Sequence, residues 1–201
     1  MKIYMAFIER KFNLGTLDGI SEKTITEHVK LYAGYVKHAN LILDKITEMS
    51  VDAEKNTYAI GELQRRFGFE FDGMRNHEYY FEQFEGGASE LPADGKLMAA
   101  LVSEWGSFEA AHARINAIAL TRGIGWAIMY YDSVSKRLVN AWVDEQHLGH
   151  LIGLNVVLAI DMWEHSYLFD YVPGDKKKYV EAFFRNLNGE HIEKRFVSYL
   201  N

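Results

Sequence analysis

Apolar and polar residues follow a helical rhythm from residue 21 to residue 50. Ser21 suits an N-cap, and Glu22 places negative charge at the positive end of the helix that follows. Ile25, Tyr32, Tyr35, Ala39, Ile42, Leu43 and Ile46 share one face, and Gly34 is the only glycine or proline in the stretch. A second helix is predicted over residues 56–85, with Leu63, Phe67, Met74, Phe81 and Phe84 on its apolar side. Gly68 and Gly73 mark where an interruption would fall. Two long helices in succession predict an antiparallel helical hairpin.

Residues 86–95 hold three glycines and a proline and read as a linker, dividing the chain near residue 90. A third helix is predicted over residues 96–120, kinked near Gly106. The pattern then changes to short apolar runs. Residues 125–131 and 138–143, joined by a turn at 132–136, predict a β-hairpin. Residues 156–160 are continuously apolar and predict a central buried strand. Helices over 178–186 and 189–200 close the chain. The expected fold class is α+β. An N-terminal antiparallel helical hairpin (1–90) precedes an α/β domain (91–201) with a small, mainly three-stranded antiparallel sheet.

Composition narrows the chemistry. The 201 residues are 48% hydrophobic and 25% charged, ordinary values for a globular protein. A net charge of −6, with no basic run longer than Lys176, Lys177 and Lys178, argues against a nucleic-acid partner. The absence of cysteine excludes disulfides, zinc–thiolate sites, iron–sulfur clusters and thiol catalysis. No apolar stretch reaches about 18 residues, so no membrane span is expected. The start, Met1, Lys2, Ile3, Tyr4, lacks a signal-peptide core, which makes a cytoplasmic location the expectation.

The most specific local signal is Asp161-Met162-Trp163-Glu164-His165. A buried strand delivers Asp161 at its end and His165 follows four residues on, an oxygen and a nitrogen suited to a borderline transition metal. A capping aspartate with an incidental histidine is the plain alternative. An ionised Asp beside an apolar strand, however, needs a cation or several hydrogen bonds. Two more histidines stand on apolar faces: His28 on the first helix and His77 on the second. One such histidine is ordinarily a hydrogen-bonded core residue. Two, on helices that pack together, make a converging set with Asp161 and His165. His38, His112 and His191 sit in polar contexts and read as surface residues. His147 and His150 suit either a site wall or a loop. No phosphate loop, nucleophile elbow or serine triad is present.

These motifs resemble the iron/manganese superoxide dismutase family nearly end to end. Asp161-Met162-Trp163-Glu164-His165 is similar to its Asp-x-Trp-Glu-His signature, and Asn76-His77 before Tyr79, Tyr80 and Phe81 to its Asn-His followed by aromatics. Gly123-Ile124-Gly125-Trp126 is similar to its Gly-x-Gly-Trp, and Tyr35-Val36 with Asn40 to its first-helix Tyr-Val-x-x-x-Asn. The resemblance implies one Fe or Mn per chain held by His28, His77, Asp161 and His165, and superoxide as the substrate. It also implies Trp126 and Trp163 as pocket walls, Tyr35 at the mouth, and a homodimer with Glu164 at its interface.

Some positions depart from the pattern. The family's first ligand lies eight residues before the gateway tyrosine. Counting from Tyr35, that position is Glu27, and His28 is seven residues before it, so either could be the ligand; the helical face favours His28. Gln146, fifteen residues before Asp161, matches the donor to metal-bound solvent, with His147 one register away. Leu31 replaces an expected histidine, Leu168 a frequent tyrosine and Gly189 a tryptophan. A non-catalytic, dismutase-like metal-binding or interaction protein is therefore a competing reading, as is a hydrolase using the same ligand set.

Overall fold

The computed structural model describes residues 5–200. Helix α1 spans Glu22–Met49, and Ser21 caps it by accepting a hydrogen bond from the Thr24 amide. A short 3₁₀ turn leads into α2, Ala53–Glu82, capped by Asp52. The two helices form the expected hairpin. His28, Tyr32, Val36, Ala39 and Ile42 are buried along α1 at intervals of three and four. Helix α2 runs without a break through Gly68 and Gly73, contrary to the expected interruption, because the ordered helix around it packs on α1 and on the sheet.

Gly73 has a packing role. The Tyr35 ring of α1 lies directly on it, and a Cβ at this position would stand 2.6 Å from Tyr35 Cδ1. Only a residue without a side chain lets the ring occupy this place.

The predicted third helix is two: α3, Lys96–Trp105, and α4, Phe108–Ala119. Gly106 takes the left-handed conformation (φ 88°) and ends α3, and Ser107 caps α4 through the Ala110 amide. A full break replaces the expected kink. Strands β1 (Gly125–Asp132), β2 (Arg137–Asp144) and β3 (Asn155–Asp161) form one antiparallel sheet in the order β2-β1-β3. Helices α5, Lys176–Arg185, and α6, Gly189–Ser198, follow. No helix among the described residues is long and apolar enough to cross a membrane.

The continuous apolar run of β3 is explained differently from the expectation. The central strand is β1; β3 is an edge. Its six residues from Val156 to Asp161 are buried because helices cover that edge. An uncovered edge leaves backbone groups unpaired, and here side chains satisfy them. Gln83, fully buried just after α2, donates to the Ala159 carbonyl and accepts from the Ala159 amide, both at 2.8 Å. Arg195 of α6 donates to the Val157 carbonyl and to Glu82. Tyr179 of α5 donates to the Asp161 carbonyl at 2.9 Å. Gln83 thus acts as one more residue of sheet and fastens the hairpin to it.

Two outcomes follow. Gln83→Leu strands the amide and carbonyl of Ala159 and should lower unfolding free energy by about 2–5 kcal/mol, read from denaturant midpoints; an unchanged midpoint would show that the edge needs no partner. Gly73→Ala should lower stability too, although helix propensity alone favours alanine by about 1 kcal/mol. A crystal structure of that variant should show the Tyr35 ring displaced.

Candidate metal centre

Each half of the chain supplies two members of the cluster. Helix α1 presents His28 and α2 presents His77, both on buried faces. Asp161 ends β3, and His165 follows in a one-turn 3₁₀ segment, Glu164–Ser166. His28 Nε2, His165 Nε2 and His77 Nε2 lie 3.0, 3.2 and 3.6 Å from Asp161 Oδ2. One donor atom from each of the four residues falls within 4.8 Å of all the others. His28, His77 and Asp161 are fully buried; the His165 side chain is 20% exposed.

The donors suit a cation. Burial pushes the imidazoles of His28 and His77 below their ordinary pKa, so both are neutral and offer a lone pair. His77 Nδ1 donates to the Gly73 carbonyl at 2.6 Å, which fixes the tautomer and leaves Nε2 as the free electron pair. That Nε2 is buried with no hydrogen-bond partner; His28 Nδ1 also lacks one. Desolvation by itself would raise Asp161, but the facing His165 and His28 hold it below the usual carboxylate range. The carboxylate is aimed by the Trp163 amide, which donates to Oδ1 at 2.8 Å. Metal–donor bonds of about 2.1 Å place neighbouring donors roughly 3.0–3.4 Å apart; His28 and His165 fall within that range of Asp161 and His77 lies just beyond it. A borderline transition ion such as Fe or Mn fits three imidazole nitrogens and one carboxylate oxygen.

Glu27 does not join the cluster. Its carboxylate points outward and pairs with Lys30 at 2.7 Å, while His28 points in. Of the two neighbouring candidates at 146 and 147, Gln146 is the buried one facing the pocket. Its Nε2 donates to the Tyr35 hydroxyl at 3.1 Å, and its Oε1 accepts from Trp126 Nε1 at 2.9 Å. The His147 ring sits instead against Phe69. Trp126 packs edge-on against His77 and Trp163 stacks on His165, with ring centres 5.1 and 5.8 Å apart. Tyr35 lies against His77. Leu31, Leu168 and Phe169 are exposed, as is Glu164. His38 is exposed as expected, but His112 and His191 are half-buried, His112 against Phe184.

Sequence reasoning missed Tyr130, which shares a hydrogen bond with His150 at 2.7 Å, and the use of Asn76, which donates to the Gln146 carbonyl at 2.9 Å. Tyr130 sits in an apolar strand with nothing to mark it. Asn76 stood next to a candidate ligand, and that adjacency was its only signal.

The family model described as iron/manganese superoxide dismutases, C-terminal domain, matches residues 93–195. The chain is 36% identical to the iron superoxide dismutase of Cupriavidus metallidurans over 186 residues, spanning 90% of this chain and 91% of that one. It is 31% identical to the manganese superoxide dismutase of Mycolicibacterium paratuberculosis, spanning 85% and 81% of the two chains. It is 29% identical to that of Mycolicibacterium smegmatis, spanning 93% and 90%. Relatives named for iron and for manganese are thus similar to it to nearly the same degree. With its helical hairpin, its three-stranded sheet and the four donors between them, the chain belongs to the iron/manganese superoxide dismutase family.

Proposed function

We propose that this chain is a superoxide dismutase, converting superoxide to dioxygen and hydrogen peroxide, with one Fe or Mn ion held by His28, His77, Asp161 and His165. The observation that carries the reading is the convergence of three imidazole nitrogens and one carboxylate oxygen within 4.8 Å. When bound, the ion supplies alternate one-electron oxidation and reduction of superoxide.

The chain's residues do the rest. Asp161 contributes the single negative charge that balances the cation in a dry site. Trp126 and Trp163 wall the pocket and exclude water. Burial, with Asp161 adding to it, pushes the Tyr35 phenol up, so Tyr35 keeps its proton at neutral pH. Gln146 Nε2 occupies an acceptor position on the Tyr35 oxygen, which leaves the phenol proton free to be donated along a hydrogen bond. Lys30, five residues before Tyr35 on α1, is paired with Glu27, so its pull on an anionic substrate is partly offset.

A homodimer belongs to the same reading. His165 is the one partly exposed member of the cluster, and Glu164, Leu168 and Phe169 beside it are exposed. A second copy would cover this face, with Glu164 reaching a histidine of the other copy's cluster. Static light scattering should give twice the chain mass of 23.2 kDa, and Glu164→Ala should weaken the association; a monomer at all concentrations would remove the dimer from the reading.

The decisive test is metal analysis coupled to a superoxide-consumption assay. Wild type should bind one Fe or Mn per chain and consume superoxide, whereas His77→Ala and Asp161→Asn should lose stoichiometric metal. Stoichiometric metal with no turnover in the wild type would overturn the dismutase reading, and full metal retention in both variants would overturn the ligand set. Tyr35→Phe should keep the metal and slow turnover by about 10-fold or more, toward the 10²-fold common for a lost acid–base group.

A further inference from the structure

Gln146 faces the cluster from a loop rather than from a helix or strand. It lies between β2 and β3, after Glu145 in a left-handed conformation (φ 52°) and before Gly149 (φ 100°). Loops hold side chains less firmly than regular elements do. Yet Gln146 is fully buried and makes two side-chain hydrogen bonds, to Tyr35 and Trp126, that need it in one place. Something must fix its main chain.

Two groups converge on the Gln146 carbonyl. Asn76 Nδ2 donates to it at 2.9 Å, and His150 Nε2 lies 3.2 Å from it. A carbonyl only accepts, so a neutral His150, favoured by burial, bonds it at 3.2 Å with its proton on Nε2. Its Nδ1 is then an acceptor, and the Tyr130 hydroxyl stands 2.7 Å away to supply the proton. With the His150 proton on Nε2, each bond from Tyr130 through His150 to Gln146 has one direction. The 3.3 Å approach of Asn76 Nδ2 to His150 Nε2 is the spacing of two donors sharing one acceptor with two lone pairs. Asn76 adjoins His77 on α2 and Tyr130 lies on the central strand, so the loop is bolted to both halves of the chain.

We propose that His150, held by Tyr130, is a positioning residue: it clamps the Gln146 main chain and thereby fixes the Gln146 amide between Tyr35 and Trp126. It touches neither the cluster nor its entrance and acts only through Gln146. The clamp itself stands on protein hydrogen bonds; its effect on turnover rests on the dismutase reading above.

The experiment uses the full-length chain and three variants, His150→Leu, Tyr130→Phe and His150→Gln. Two readouts separate the claims. The first is solvent exchange of the Trp126 indole N–H by NMR, on protein loaded with Zn²⁺, a diamagnetic ion that accepts the same donors. The second is the midpoint potential and turnover of the Fe- or Mn-loaded protein, since donors around a centre tune its potential. His150→Leu should speed Trp126 indole exchange by about tenfold while leaving Trp105 unchanged. It should also shift the potential and slow turnover by about tenfold, with one metal per chain retained. His150→Gln, which restores a donor to the carbonyl, should recover most of the loss. Tyr130→Phe, which removes one hydroxyl, should give a smaller change in the same direction and carries the test if His150→Leu does not fold. Wild-type indole exchange in both His150→Leu and Tyr130→Phe would overturn the clamp, whether or not the protein consumes superoxide. So would losses that His150→Gln leaves in full.

Discussion

The carboxylate of Asp161 is the constraint around which the structure is arranged. It is fully buried at the end of a strand, it is ionised, and no lysine or arginine pairs with it among the described residues. Taking such a charge out of water costs several kcal/mol even after relaxation. One amide hydrogen bond, from Trp163, and three facing imidazoles are what the chain supplies in return. Two of those imidazoles are neutral because the same burial penalises their charged form. A buried carboxylate with no lysine or arginine beside it is poorly balanced without a cation and well balanced with one. The orphaned Nε2 of His77, locked in its tautomer by Gly73, says the same from the nitrogen side.

Because the four donors come from both halves of the chain, a bound ion joins the hairpin to the sheet. The protein side of that joint is already strong. Gln83 completes the open edge of β3, Arg195 ties the same edge to α2, and Tyr179 holds the Asp161 carbonyl. These contacts hold the Asp161 end of β3 in place through protein hydrogen bonds alone. They also imply that metal adds to stability as any ligand selective for the native state does, by an amount set by its concentration relative to Kd.

Much of this was legible in the sequence, and the misses have physical causes. The hairpin could be read because both helices bury one face at regular spacing, and that periodicity also placed His28 and His77 inside. The choice of His28 over Glu27 follows from the same geometry, with Lys30 one turn on to pair with the excluded carboxylate. Gly68 and Gly73 misled because local propensity was outweighed by packing, where the missing side chain at 73 makes room for Tyr35. The apolar run of β3 suggested a central strand because burial of both faces is all that such a run encodes. Whether a second strand or a glutamine side chain covers the far edge is decided by a residue about 76 positions away. The clamp on Gln146 was invisible for the same reason: Tyr130, Asn76 and His150 are adjacent only in three dimensions.

The departures at Leu31 and Leu168 acquire a meaning from this geometry. Neither side chain can donate or accept a proton, and both are exposed. The polar contact of the Tyr35 hydroxyl is instead with Gln146, which leads to the loop held by Asn76, His150 and Tyr130. Hydrogen-bonding capacity around the centre is therefore concentrated on the loop side of the pocket rather than beside His165. An apolar side and a polar side divide the surroundings of the centre, and under the proposed function the polar side offers the ordered donors that proton movement needs. For such a division to function, the loop must be held as firmly as the helices that carry the ligands, and the directional series from Tyr130 through His150 to Gln146 supplies that rigidity.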